Sequence, residues 1–213
     1  MQTVHSLGVR PILLRRPAFI ALLISLLPGA ALAHPHVWVD TIVTAQMENG
    51  KVTTLREDWS FDEDFSATVL SDIRKVKGMG GDRRAPFSPA EIAKLQQNAF
   101  SNLKGYDYFT HIWLGAQPLK IKPDVEGFTA RMDGEKLRYL FTVRLVKPTE
   151  IAGAPLKIGI WDDSYYVDVG PVKGKGAAVE GEGSAACKAH VAEDKDHPLY
   201  YGSIFPQIAE ITC

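Results

Sequence analysis

The chain has 213 residues, of which 46% are hydrophobic and 23% charged, and its formal net charge is −1. That much apolar side chain supports a buried core, which excludes a disordered or collagen-like chain. A balanced charge offers no basic face, so no nucleic-acid partner is expected.

The first residues read as an address. Arg10, Arg15 and Arg16 form a positive region, residues 18–27 are an apolar run with Ser25 its one polar residue, and Pro28-Gly29 ends it. Ala31-Leu32-Ala33 then supplies a small-residue cleavage pattern, completing the three parts of a secretory signal peptide. The apolar run is about half of the roughly 20 residues that a membrane-spanning helix needs. Residues 1–33 are therefore expected to be a signal peptide cleaved after Ala33. Residues 34–213 are expected to be a single α+β domain, soluble in the periplasm and without membrane insertion after cleavage. The cut removes three arginines and no acid, leaving 180 residues with a net charge of −4.

Residues 36–47 are rich in β-branched side chains, and Glu48-Asn49-Gly50 marks a hairpin before a second strand over 51–61. Phe65, Val69, Ile73 and Val76 then recur at helical spacing over 64–76. Gly78-Met79-Gly80-Gly81 ends that helix. The next one starts at Ser88-Pro89-Ala90-Glu91, an N-cap serine, a proline in the first turn and a glutamate three residues after the serine. Ile92, Leu95, Ala99 and Leu103 share its apolar face, with Gly105 as the expected C-terminal cap.

Strands follow over 106–114, 119–121, 127–132, 137–146, 156–161 and 165–169, with Asp133-Gly134 as a hairpin dipeptide. Gly170, Gly174, Gly176, Gly181 and Gly183, separated by Lys and Glu, predict a flexible loop over about 170–198. A last strand covers 207–212. The segregation of strands and helices predicts an α+β fold, a largely antiparallel sheet with two helices inserted after the first strand hairpin. Cys187 and Cys213, an even pair in an oxidising compartment, predict one disulfide that ties down the C-terminal segment.

The chemistry concentrates where the address is cut. Cleavage after Ala33 makes His34 the first residue, followed by Pro35 and His36. The new α-amine, with a reference pKa of about 7.7–8.0, and two imidazoles then lie within three residues. In an extended strand His34 and His36 share a face roughly 6.6 Å apart. That spacing suits a divalent transition metal ion, zinc, nickel, cobalt or copper. Pro35 has no N–H to lose, which blocks the square-planar site built from backbone amides and leaves a side-chain site. Asp40, on the same parity as the histidines, and Asp162, at a strand end, are candidates to complete it.

Weaker candidates have plainer readings. Asp62, Glu63 and Asp64 complement the dipole of a first helical turn. His111 sits inside a strand and reads as packed, while His190 and His197 fall in the glycine-rich loop. Among enzymatic motifs there is no G-x-S-x-G, P-loop, G-x-G-x-x-G or free-cysteine nucleophile, so no enzymatic activity is expected.

Several strings stand in a specific order: Ala33-His34-Pro35-His36-Val37-Trp38-Val39-Asp40; Trp59-Ser60-Phe61-Asp62-Glu63 with Phe65-Ser66; and Tyr106-Asp107-Tyr108-Phe109-Thr110. Asp162 with Tyr165-Tyr166-Val167 and the terminal Cys213 follow. Together they resemble the DUF1007 family of exported bacterial proteins of unknown function, over essentially the whole mature chain. Its members are labelled periplasmic components of an uncharacterised ABC-type transport system and are often encoded beside nickel/cobalt-type membrane transporters. The resemblance implies an accessory role in transition-metal transport, with an inner-membrane metal transporter as partner, and no established reaction. The alternative is a non-metal interaction module that docks on a membrane transporter. Many relatives carry an acidic, EF-hand-like loop before the second helix. Here residues 75–84 are basic with Asp82 as the single acid, so no calcium is expected.

Overall fold

Alternation sets the first hairpin. In β1 (Val37–Glu48) the side chains of Val37, Val39, Thr41 and Val43 turn inward, while Trp38 and Asp40 face out. Asn49 and Gly50, with φ of 51° and 74°, make the turn that such a hairpin requires. They fold β1 onto β2 (Lys51–Phe61) in antiparallel register from Glu48↔Lys51 to Val39↔Phe61. The computed structural model describes residues 36–74 and 85–213. The expected signal peptide over residues 1–33, His34, and the basic stretch 75–84, where no calcium is expected, lie outside the described residues.

Two helices follow the hairpin, α1 (Glu63–Arg74) and α2 (Pro89–Asn98). The start of α2 is the expected capping box. The Ser88 hydroxyl accepts the Glu91 N–H at 3.3 Å, and the Glu91 carboxylate accepts the Ser88 N–H at 2.7 Å. The helix stops at Asn98 instead of reaching Gly105. Tight 3-10 turns occupy Phe100–Phe109, where Asp107, Tyr108 and Phe109 all have positive φ. The strand expected from residue 106 therefore begins only at Thr110.

The remaining strands are β3 (Thr110–Leu114), β4 (Gln117–Leu119), β5 (Glu126–Asp133), β6 (Lys136–Glu150) and β7 (Leu156–Ile160). They are followed by β8 (Val167–Pro171), β9 (Ala177–Gly181), β10 (Lys188–Glu193) and β11 (Gln207–Thr212). The fold is α+β and its pairing is mostly antiparallel, but it has two sheets. One runs β5-β6-β2-β1-β8, with β9 also on β1; the other runs β10-β11-β7-β3-β4. Pairing of β1 with β8 and with β9 is parallel.

The glycine-rich segment expected as a flexible loop is a correction: it contains β9, β10 and the end of β8. Glycine serves close approach there. A Cβ on Gly181 would lie 2.2 Å from the Met47 carbonyl oxygen, so only glycine lets the end of β9 sit on β1. Cys187 and Cys213 form the disulfide and flank the β10–β11 pair, whose register begins at Lys188↔Thr212.

The core is continuous from Leu55, Trp59 and Phe141 of the first sheet to Leu156, Ile158 and Ile211 of the second, with Leu70 and Leu95 from the helices. Among the described residues no helix is long and apolar enough to cross a membrane.

Candidate functional site

His36 stands immediately before β1, at the start of its outward face. Its N–H donates to the Tyr166 carbonyl at 3.0 Å, and its ring lies 4.9 Å from the Tyr166 ring. Among the described residues neither imidazole nitrogen has a hydrogen-bond partner. Two residues on, Trp38 is 49% exposed. Asp40 follows on the same face, 3.7 Å from the Lys136 ammonium. The period-2 geometry thus carries His36, Trp38 and Asp40 to one surface, as their parity requires.

Both edges of this segment are clamped by acids. On one side Asp62 accepts the Trp38 N–H at 2.9 Å and returns its own N–H to the Trp38 carbonyl at 3.0 Å. Its other carboxylate oxygen accepts the Phe65 N–H at 2.8 Å and so caps α1. The helix-end reading of this acid is the one its contacts support.

On the other side stands Asp162, only 7% exposed. One of its oxygens accepts the Ser164 N–H at 2.9 Å, and the other accepts the N–H groups of Tyr166 and Val167, both at 3.1 Å. The Ser164 hydroxyl approaches both oxygens, at 2.7 and 2.8 Å. Asp162 is committed to its own loop and is not presented as a free ligand on the His36 face. Its effect there passes through Tyr166.

Asp168 was not singled out from the sequence. In the parallel pairing it sits beside Trp38, on the outward side opposite the inward-packed Val167 and Val169. Burial raises its carboxyl above the ordinary range. Only the partner strand reveals it, and that partner lies about 130 residues away in sequence. Among the described residues no three His, Cys, Asp or Glu side chains converge as a ligand set.

The other histidines are engaged elsewhere. His111 stacks on Trp161 at 4.2 Å and His197 on Trp113 at 4.2 Å. The His197 Nδ1 lies 2.7 Å from the buried Asp194 carboxylate. Burial lowers the pKa of His111, against the pull of Asp163. His190, in β10, is 3.8 Å from Glu210.

A second unforeseen group is Glu57, wholly buried in β2. Its carboxyl receives the Trp59 indole N–H at 2.9 Å and lies 2.9 Å from the Thr110 hydroxyl. Desolvation raises its pKa to about 7, although both hydrogen bonds oppose the shift. The signal was available: Glu57 shares the inward parity of Leu55, Trp59 and Phe61.

A family model described as "Protein of unknown function (DUF1007)" matches residues 19–200. An uncharacterised protein of Haemophilus influenzae is 29% identical over 138 residues, 64% of this chain and 62% of the relative. The chain therefore covers less than two thirds of that relative. An uncharacterised 15.5 kDa protein of Spirochaeta aurantia is 32% identical over 131 residues, 59% of this chain and 89% of the relative.

Proposed function

The chain belongs to the DUF1007 family, and from that premise we propose that it is a periplasmic accessory protein of a transition-metal transport system. It binds zinc, nickel, cobalt or copper at its mature amino terminus and exchanges the ion with an inner-membrane metal transporter. His34 supplies an imidazole and, after cleavage, the α-amine. His36 supplies the second imidazole, and Asp40 is the candidate oxygen ligand on the same face.

The observation that carries this reading is the state of His36. Its backbone is fixed by Tyr166, its ring is exposed, and its nitrogens are uncommitted among the described residues. A free imidazole held at the start of a strand, two residues after a cut α-amine, has the donor chemistry for a borderline metal ion. Pre-positioning one ligand also reduces the ordering cost of binding.

Calorimetric titration of the correctly cleaved protein with each of the four ions tests the reading. Replacing His34 and His36 together by alanine should abolish the tight phase. One extra residue before His34 should weaken it, because the α-amine is displaced. Unchanged affinity in the double variant would reject the site.

A second reading, a docking module without metal, draws on the exposed aromatic residues Trp38, Tyr106, Tyr166 and Tyr201. Co-purification with a membrane transporter that persists in chelator favours it over the first.

A further inference from the structure

The first sheet ends at β8, whose only strand partner among the described residues is β1. Just past that strand the Val172 N–H donates to the Thr41 carbonyl at 2.9 Å. Backbone groups alternate in direction along a strand, so Val167 and Val169 turn theirs away from β1. The Val167 N–H is spent on Asp162. The carbonyls of Val167 and Val169 stand at the bare edge.

A cleft of about 170 Å³ runs along this edge, lined by residues 167–171 and, from the other side, by Leu199, Ile204, Phe205 and Pro206. That second wall is tied in place. The Asp194 N–H donates to the Pro206 carbonyl at 2.8 Å, and Leu199 and Ile204 exchange backbone hydrogen bonds of 2.7 and 3.3 Å. Phe205 is exposed, so the cleft communicates with solvent. Tyr165 lines it as well.

Charge selects the occupant. The lining contains two acids, Asp162 and Asp168, and no Lys, Arg or His. Asp162 is satisfied by its own loop. The Asp168 carboxylate has no hydrogen-bond or ion-pair partner among the described residues. Burial raises its pKa, and no neighbouring cation opposes the rise. Burial and then the Asp168 charge raise the pKa of the Tyr165 hydroxyl. A carboxylate drawn partly out of water is stabilised by a cation that pairs with it.

We infer that this cleft binds a small organic ammonium ion, its nitrogen on the Asp168 carboxylate and the bare edge carbonyls, its apolar body against Leu199, Ile204 and Pro206. An ammonium group has several N–H donors and no acceptor, which suits a carboxylate beside two carbonyls. The Tyr165 and Phe205 rings add attraction for a cation that reaches their faces. A cavity of about 150 Å³ accommodates benzene, so a body of one ring fits here. Two acids without a counter-charge exclude an anion.

The test is an NMR titration of the protein at neutral pH with benzylammonium and with benzyl alcohol, probes of like size that differ in charge. Benzylammonium should bind roughly tenfold more tightly, the scale of one hydrogen bond to a charged group. The amide shifts it causes should fall within residues 165–171 and 199–207. Asp168→Asn should erase the preference and leave the weaker binding of benzyl alcohol as it was. Should that variant fail to fold, Asp168→Ser takes its place. The inference is overturned if benzylammonium does not bind the wild-type protein, or if its shifts lie elsewhere. A preference for benzylammonium that survives in the folded Asp168 variant overturns it too.

Discussion

The Asp162 carboxylate accepts the backbone N–H of Tyr166 at 3.1 Å, and Tyr166 in turn accepts the N–H of His36. A nearly buried acid therefore governs where an exposed histidine stands. Asp162→Ala strips partners from three backbone N–H groups and a hydroxyl. A loss of about 2–4 kcal/mol in urea unfolding is expected, with Asp162→Asn intermediate. Metal affinity should fall only as the loop loosens. Full stability with selective loss of affinity would make Asp162 a ligand after all.

Glu57 makes stability depend on pH in an uncommon direction. Its folded pKa, about 7, lies above the ordinary value of 4.5. Between those values the native state holds a proton that the unfolded state has released, so stability falls as pH rises and the loss is complete above about 7. Geometry agrees with a neutral acid. The Thr110 hydroxyl lies 2.9 Å from Glu57 and 3.1 Å from the Tyr108 carbonyl, but has one proton to give. A protonated Glu57 donates to Thr110 and frees that proton for Tyr108. Unfolding at pH 5 and pH 8 should differ by about 2–3 kcal/mol from this group, and Glu57→Gln should remove that difference.

Gly159 is the floor beneath Trp161. A Cβ there would come within 2.0 Å of the indole. Gly159→Ala should therefore lift the ring from its stack on His111, lower the near-ultraviolet circular dichroism and cost about 1–3 kcal/mol. An unchanged aromatic spectrum would count against this packing.

The Cys187–Cys213 bond spans 26 positions and closes the open end of the β10–β11 pair. On the chain-entropy model a loop of that length contributes about 3 kcal/mol. Reduction should lower the melting temperature, and a Cys187→Ser, Cys213→Ser double variant should melt at the same lower point in either redox state.

What could be read from the sequence was local. The bounds of β2 follow from one turn dipeptide and one run of β-branched residues. Ser88 and Glu91 announced α2 because a capping box is complete within four positions. The outward placement of His36, Trp38 and Asp40 needed only strand parity. What escaped depends on partners far along the chain. The segment of β9 carries little apolar alternation, and becomes a strand only because residues 43–47 of β1 have free edge groups to pair with it. Asp162 reads as a turn acid, and nothing nearby says that its oxygens turn inward to Tyr166 and Val167. The end of α2 was misplaced because Phe100 and Tyr108, drawn into one aromatic cluster, outweigh the helical spacing that continues to Leu103.

The place of β1 in its sheet has a kinetic meaning. It is the first strand of the described fold, yet it is flanked by β2 on one side and by β8 and β9 on the other. If the chain emerges from its amino terminus, one edge of β1 stays bare until residues 167–181 arrive. Contacts of such long sequence separation slow folding. The strand that follows His36 is thus the first to appear and among the last to be completed.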